Sequence, residues 1–377
     1  MLAAAVKYSL FLPAGAVIAL VWANTSHASY ARVAAALAFP VNDIGMVFFF
    51  ALAAKEVVEA TAPGGALHTW RRAALPVIAA AGGMAAPSAI YLVYVTLANE
   101  PSLARGWAIP CATDIAFSYL VATAVFRRHP AIPFLLLLAI ADDALGLVVL
   151  ALFFPVGELH LGAGALLMSA ALAAAFVLRR RRTLSFWPYV VAAGALSWVA
   201  LFWGGLHPAL ALVPIIPFFP HAARDEGLFV EAPAGANDTL SRFERWWKLP
   251  VQGVLFLFGL TNAGVEITAH GTATWAVLVA IVAGKPLGIV AAVAVATAAG
   301  FHLPARFNWR DLIVVGCAGG IGFTVALFFA TAAFPPGPEL DEAKLGALLS
   351  IGSAGVTFAA AVVLKTGVFT ASAAGRP

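Results

Sequence analysis

Apolar residues in this chain come in runs of about 17 to 25, broken by short polar or charged stretches, and the pattern recurs from end to end. Runs of that length suit helices crossing a hydrocarbon core of roughly 30 Å. The alternating segments of about ten residues that a closed strand barrel requires are missing from the sequence. The pattern therefore predicts an all-α polytopic membrane protein with about twelve transmembrane helices, centred near residues 15, 48, 85, 116, 143, 168, 196, 212, 258, 286, 322 and 356. The spans near 196 and 212 are separated only by Gly204 and Gly205, so they form a tight pair or one broken unit. The polar stretch 221–248 contains Pro, Gly, Asn and mixed charge and reads as a cytoplasmic connector between two groups of spans, within a single transmembrane domain covering 1–377.

Composition agrees. Hydrophobic residues make up 62% and charged residues 11%, which would leave a soluble globule of 377 residues nowhere to place its apolar surface. Charge placement then orients the spans. With the N-terminus inside, Lys7, Arg71, Arg72, Arg127, Arg128, Arg179 to Arg182, Arg224, Arg242, Arg245, Lys248, Arg306, Arg310, Lys365 and Arg376 fall on one side. Those 17 basic residues face only Arg32, Arg105 and Lys344 outside, and Lys55 and Lys285 lie within spans. Such asymmetry places both termini in the cytoplasm of a cell whose inner membrane holds the protein. The run from Tyr8 to Trp22 also has the length of a signal peptide, with Ser26-His27-Ala28 as a poor cleavage site, but retaining it is what makes the charges alternate correctly. The net charge of +4 reflects topology and calls for no nucleic-acid partner. Cys111 and Cys317 both lie in apolar runs and point to neither a disulfide framework nor a metal site.

Four ionisable residues remain at the centres of spans: Asp114, Asp142, Asp143 and Lys285. A charge at the middle of a membrane helix costs roughly 2.5 to 3.5 kcal/mol on insertion scales, so adjacent aspartates there imply that something binds or titrates. Lys55, Glu56 and Glu59 lie toward the inner end of the second span, where Lys55 and Glu59 also suit a structural i,i+4 pair. Pro110 precedes Thr113-Asp114 in the fourth span, and Gly316, Gly319, Gly320 and Gly322 cluster in the eleventh. Both patterns predict helices that break inside the membrane and leave free amides and carbonyls at the break. Half-helix N-termini carry partial positive charge and C-termini partial negative charge, so Asp114 and Lys285 are the natural compensating charges. Broken helices in both halves suggest inverted repeats with two broken, crossing helices, spans 4 and 11, and a site where they meet.

The motifs GWAIPCATDIAF, LAIADDALG, NAGV (Asn262 to Val265), GKPLGI (Gly284 to Ile289) and GGIGFTVALFFATAAF from Gly319, in this order, resemble the bacterial NhaA-type sodium/proton antiporter family from about Asn42 to Leu364. The resemblance implies exchange of Na+ or Li+ for H+ across the inner membrane, electrogenically and by alternating access, with no cofactor and no enzymatic activity. It implies Asp143 as principal cation ligand and proton carrier, Asp142 as the partner of Lys285, Thr113 as an oxygen donor and Asp114 as the charge that balances the helix ends. The residue types fit independently: hard cations prefer oxygen ligands, and protons compete for the same carboxylates. Adjacent helix residues point about 100° apart, so Asp142 and Asp143 have different roles.

The chain also departs from the family pattern. Ala144-Leu145-Gly146 follows the Asp pair where Leu-Gly-Ala is usual. Glu56, Glu59, Glu244 and His207 are candidate regulatory residues, yet the inner entrance of the ninth span carries Arg245 and Lys248 where the family has histidines, and His207 also suits a plain interhelical role. The link from about Ala23 to Pro40 is too short for the strand hairpin that joins family dimers, so a homodimer would lack it. Other classes fit less well. An intramembrane aspartyl protease needs a GxGD motif and a prenyl transferase a DDxxD motif, and neither occurs. A sodium-coupled organic-anion symporter shares the architecture, but a lysine among the aspartates suits proton exchange better.

Overall fold

The computed structural model describes residues 10–221 and 238–370. Lys7, Arg224 and Arg376 of the charge count, the first residues of the opening apolar run and most of the expected connector lie outside the described residues. Within them the chain is all helical, with no strand. In chain order the helices are α1 (Phe11–Thr25), α2 (His27–Phe39), α3 (Met46–Thr61), α4 (Trp70–Leu97), α5 (Ile115–Phe126), α6 (Ala131–Phe153), α7 (Leu161–Arg180), α8 (Ala195–Gly204), α9 (Thr239–Asn262), α10 (Thr272–Val279), α11 (Lys285–Ala298), α12 (Trp309–Gly319), α13 (Phe323–Ala333), α14 (Pro338–Leu349) and α15 (Ser353–Leu364). Short π-helical segments join α2 to α3 (Pro40–Gly45), lead into α8 (Tyr189–Gly194) and join α10 to α11 (Ala280–Gly284), while Pro101–Cys111 is a 3-10 helix. Such π segments are rare and gather at functional positions.

Six helical stretches among the described residues are long and apolar enough to cross a membrane, and two bent helix pairs bring the number to eight. Phe11–Thr25 and Tyr189–Gly204 are shorter apolar helices. Three expectations change. Residues 23–40 are mostly helical: α2 continues through the π segment into α3, giving one stretch from His27 to Thr61. The region near 212 forms no regular span but two short 3-10 turns, Pro208–Leu210 and Ile216–Phe218, because Pro208, Pro214 and Pro217 remove the amides an α-helix needs. Gly205 closes α8 before them with φ +77, where a Cβ would run into the Glu158 carbonyl. Lys344, expected outside, sits within α14 and is only 9% exposed, because the helix already begins at Pro338.

The chain divides into two compact units. The first comprises 1–68 and 146–264, the second 69–145 and 265–377, so the division falls inside α6. In the first unit α1 packs along α9 and α7 along α8. In the second, α4 packs along α11 and the π segment before it, so closely that a Cβ on Gly284 would lie 2.8 Å from Pro87 Cα. Leu135, Leu138, Val293, Leu312 and Val315 belong to that unit's apolar core. This core holds the turns of α6, α11 and α12 that flank the buried polar residues of the same helices.

Candidate ion-binding site

Two helices of the second unit break, and the breaks bond to each other. Pro101–Cys111 meets α5 at 53° across Ala112 to Asp114, and α12 meets α13 at 50° across Gly320 to Gly322. Each break frees backbone donors and acceptors that need partners when buried. Asp114, 6% exposed, is the N-cap of α5: its carboxylate accepts from Phe117 N–H at 3.2 Å. The same carboxylate accepts from Thr324 N–H at 3.3 Å and from the Thr324 hydroxyl, in the first turn of α13. One negative charge thus covers two helix N-termini. Across the break, Thr113 Oγ1 donates to Gly319 O at 2.9 Å, Ser118 Oγ to Ala318 O at 2.8 Å and Asp114 N–H to Ile321 O at 2.6 Å. The 3-10 helix ends at the Cys111 carbonyl, which accepts from Lys285 Nζ, so a positive charge sits at a negative helix end.

Lys285 opens α11 directly after a π segment and is completely buried. Its ammonium also pairs with Asp142 Oδ2 at 2.8 Å, and Asp142 is 3% exposed. The other oxygen of that carboxylate, Oδ1, is buried and has no hydrogen-bond partner among the described residues. Asp143, one step along α6, is half-buried and turns away from its neighbour. The second unit therefore brings together Thr113, Asp114, Asp142, Lys285 and the break-facing backbone, with Asp143 on the adjoining face of α6. Chemically this is a dry lysine–carboxylate pair with an unused oxygen, a half-buried carboxylate beside it, and hydroxyl and carbonyl oxygens at the break.

The first unit holds a second charged cluster. Lys55, 3% exposed, reaches Glu59 at 2.7 Å, Glu244 at 2.9 Å and Glu56 at 3.2 Å. The i,i+4 pair expected from sequence is present, and α9 adds Glu244 to it. His207 is 7% exposed and caps the turn Pro208–Leu210, its Nδ1 accepting from Ala209 N–H at 3.3 Å.

Further polar residues are buried or half-buried in the two units, and most of them do not stand out in the sequence. Thr324 follows the glycine cluster at the second position of a half-helix, where a free amide needs an acceptor, and that placement is the one signal it offers. Ser118 lies one turn beyond Asp114. Asn42 and Asn262 exchange amide hydrogen bonds at 2.8 and 3.3 Å, and the carbonyl of the half-buried Asp43 accepts from Trp198 Nε1 at 2.8 Å. Asp43 lies in the π segment before α3, inside an apolar run where an acid is as conspicuous as Asp114.

A multi-pass helical protein with two mutually bonded helix breaks and a buried lysine–aspartate pair belongs to the class of ion-coupled membrane transporters. The sequence model of the family described as Na+/H+ antiporter 1 matches residues 1–364. "Na(+)/H(+) antiporter NhaA 1" of Pelobacter propionicus is 45% identical over 368 residues, covering 95% of this chain and 96% of the relative. "Na(+)/H(+) antiporter NhaA" of Geobacter metallireducens is 45% identical over 371 residues, with 95% and 96% covered. The chain belongs to the Na+/H+ antiporter 1 family and is of the NhaA type. The general rule linking broken helices to ion sites was drawn in part from NhaA itself, so membership rests on these sequence matches alone. The solved structure of the sodium proton antiporter MjNhaP1 from Methanocaldococcus jannaschii shares the fold, with a TM-score of 0.58 at 14% identity over 95% of this chain and 92% of that one.

Proposed function

We propose that the protein exchanges Na+ or Li+ for H+ across a bacterial inner membrane, electrogenically and by alternating access, with both termini in the cytoplasm and the two broken helices crossing as inverted repeats. The observation that carries this reading is the buried Lys285–Asp142 pair at 2.8 Å, with Asp143 next to it on α6. A buried ion pair is a weak source of stability, because desolvation offsets its attraction, so it is readily separated when one partner is neutralised or gains a competitor. Asp142 Oδ1, buried and without a partner among the described residues, is where a proton or a cation would gain most.

In this mechanism Asp143 is the principal ligand and exchanges a proton for the cation. Cation arrival draws Asp142 away from Lys285, which then gives up or rearranges its proton. Thr113 keeps lone pairs available while its hydroxyl hydrogen is held by Gly319 O. Asp114 stays bound to both helix N-termini and keeps the break open to the ion. Two acids and a lysine supply enough titrating sites to move more protons than sodium ions. The test is sodium-driven dissipation of a pH gradient in everted vesicles. Asp143→Asn is expected to reduce the response by at least about 100-fold, as loss of a required charged ligand does; a wild-type response from this variant would overturn the assignment.

A further inference from the structure

Outside the ion site, the second unit has a cavity of about 420 Å³ where the ends of four elements meet: the end of α5, the start of α6, the cap of α12 and the turn that follows α15. Its wall includes Arg127, Arg128, His129, Asn308, Asp311 and Val368. The polar groups of the helix caps are already used. Asn308 Oδ1 accepts from the N–H groups of Arg310 and Asp311 at 2.9 and 3.1 Å, and Ala131 N–H donates to His129 Nδ1 at 3.2 Å. Asp311, 3% exposed, accepts from Asn308 N–H at 3.1 Å and lies 3.9 Å from His129 Nε2, so the one acid of the wall is turned into the protein.

The arginines differ. Arg127 and Arg128 are exposed, and among the described residues neither guanidinium has a hydrogen bond or an ion pair. Each presents a rigid fork of N–H donors of the kind that grips phosphate oxygens in pairs. Arg127, directly after α5, has φ 53, an uncommon conformation for a side-chain-bearing residue, so the backbone turns sharply where the two arginines stand. Arg310, also exposed, adds positive charge beside the cap. Directly next to this basic mouth, Val368 and Phe369 are exposed apolar residues. A basic cavity at the ends of membrane helices, edged by exposed apolar side chains, matches a molecule with an anionic head and a hydrocarbon tail.

We infer that this cavity binds the phosphate headgroup of an anionic phospholipid, with Arg127 and Arg128 as its ligands and its acyl chain along Val368 and Phe369. The site is separate from ion exchange, so its test reads binding. The purified protein in detergent is titrated with phosphatidylglycerol, with phosphatidylcholine and with inorganic phosphate, following the thermal midpoint. Phosphatidylglycerol is expected to raise it and the other two to leave it nearly unchanged. Arg127→Gln/Arg128→Gln is expected to lose about half or more of that rise, while Arg32→Gln/Arg105→Gln keeps it. Single Arg127→Gln and Arg128→Gln variants, read by the number of phosphatidylglycerol molecules retained in native mass spectrometry, serve if the double variant does not fold. An undiminished rise in the Arg127/Arg128 variants, an equal loss in the Arg32/Arg105 variant, or a full rise with inorganic phosphate alone would each overturn the proposal.

Discussion

Among the described residues two buried lysines, Lys285 and Lys55, lie in ion pairs, and they are arranged in opposite ways. In the second unit Lys285 is matched by a single carboxylate, Asp142, with a backbone carbonyl as its other partner. In the first unit Lys55 is shared by three, Glu56, Glu59 and Glu244, two of which are more than a fifth exposed. A one-to-one pair in a dry site has no substitute for either member, so it is stable only as a pair and sensitive to anything that competes for one half. A one-to-three cluster that reaches a wetter surface tolerates the loss of a carboxylate because two others remain, and solvent screens each contact. The first arrangement suits a switch, the second a latch.

Breaking the one-to-one pair should cost the most. Lys285→Met leaves Asp142 buried with neither its ammonium nor any partner for Oδ1, and removal of one member of a buried pair costs about 3–5 kcal/mol. The thermal midpoint of the purified variant should fall by many degrees, and Lys285→Met/Asp142→Leu should recover most of it while leaving ion exchange dead. A double variant no more stable than the single one would mean that the unpaired carboxylate is not what destabilises it.

Asp114→Asn comes next. The amide retains one acceptor oxygen but removes the charge that faces the N-termini of α5 and α13. Hydrogen bonds to a charged group are worth about 1.5–3 kcal/mol, so a loss near 2 kcal/mol is expected in denaturation of the purified protein. Protection of the amides of Phe117 and Thr324 from hydrogen exchange should fall together. Loss at only one of them would show that the two half-helices are held independently.

How far these differences are legible in the sequence depends on how few readings a residue admits. Asp114, Asp142, Asp143 and Lys285 stand in long apolar runs, where an ionisable group has almost no innocent explanation, and Pro110 with the glycines around Gly320 marks the breaks for the same reason. Thr324 has no such contrast, since threonine is ordinary in a helix, and its bond to Asp114 needs two segments 210 positions apart to meet. Lys55–Glu244 is hidden likewise: the i,i+4 neighbour Glu59 explains the lysine well enough that no third acid is sought. The missing span near 212 is a different failure. Hydropathy sees an apolar run there, but Pro208, Pro214 and Pro217 decide the backbone, and hydropathy does not weigh lost amides.

The most discriminating test has the least effect, since it sets distance against burial inside the Lys55 cluster. Glu59 makes the shorter contact, 2.7 Å against 2.9 Å for Glu244, but its side chain is 37% exposed and that of Glu244 18%. If contact length ruled, Glu59→Gln would be the more damaging change. Exposed pairs are screened, however, and an i,i+4 pair with the lysine N-terminal is the less favourable order, so Glu59→Gln should cost only about 0.3–0.5 kcal/mol. Glu244→Gln, which also removes a tie between α3 and α9, should cost roughly 1 kcal/mol. Chemical denaturation of the two variants in parallel, with and without added salt, decides the matter, because the Glu59 contribution should shrink further with salt and the Glu244 contribution much less. Equal costs, or a larger one at Glu59, would mean that the cluster is not a redundant, screened latch and that its carboxylates act as individually as Asp142.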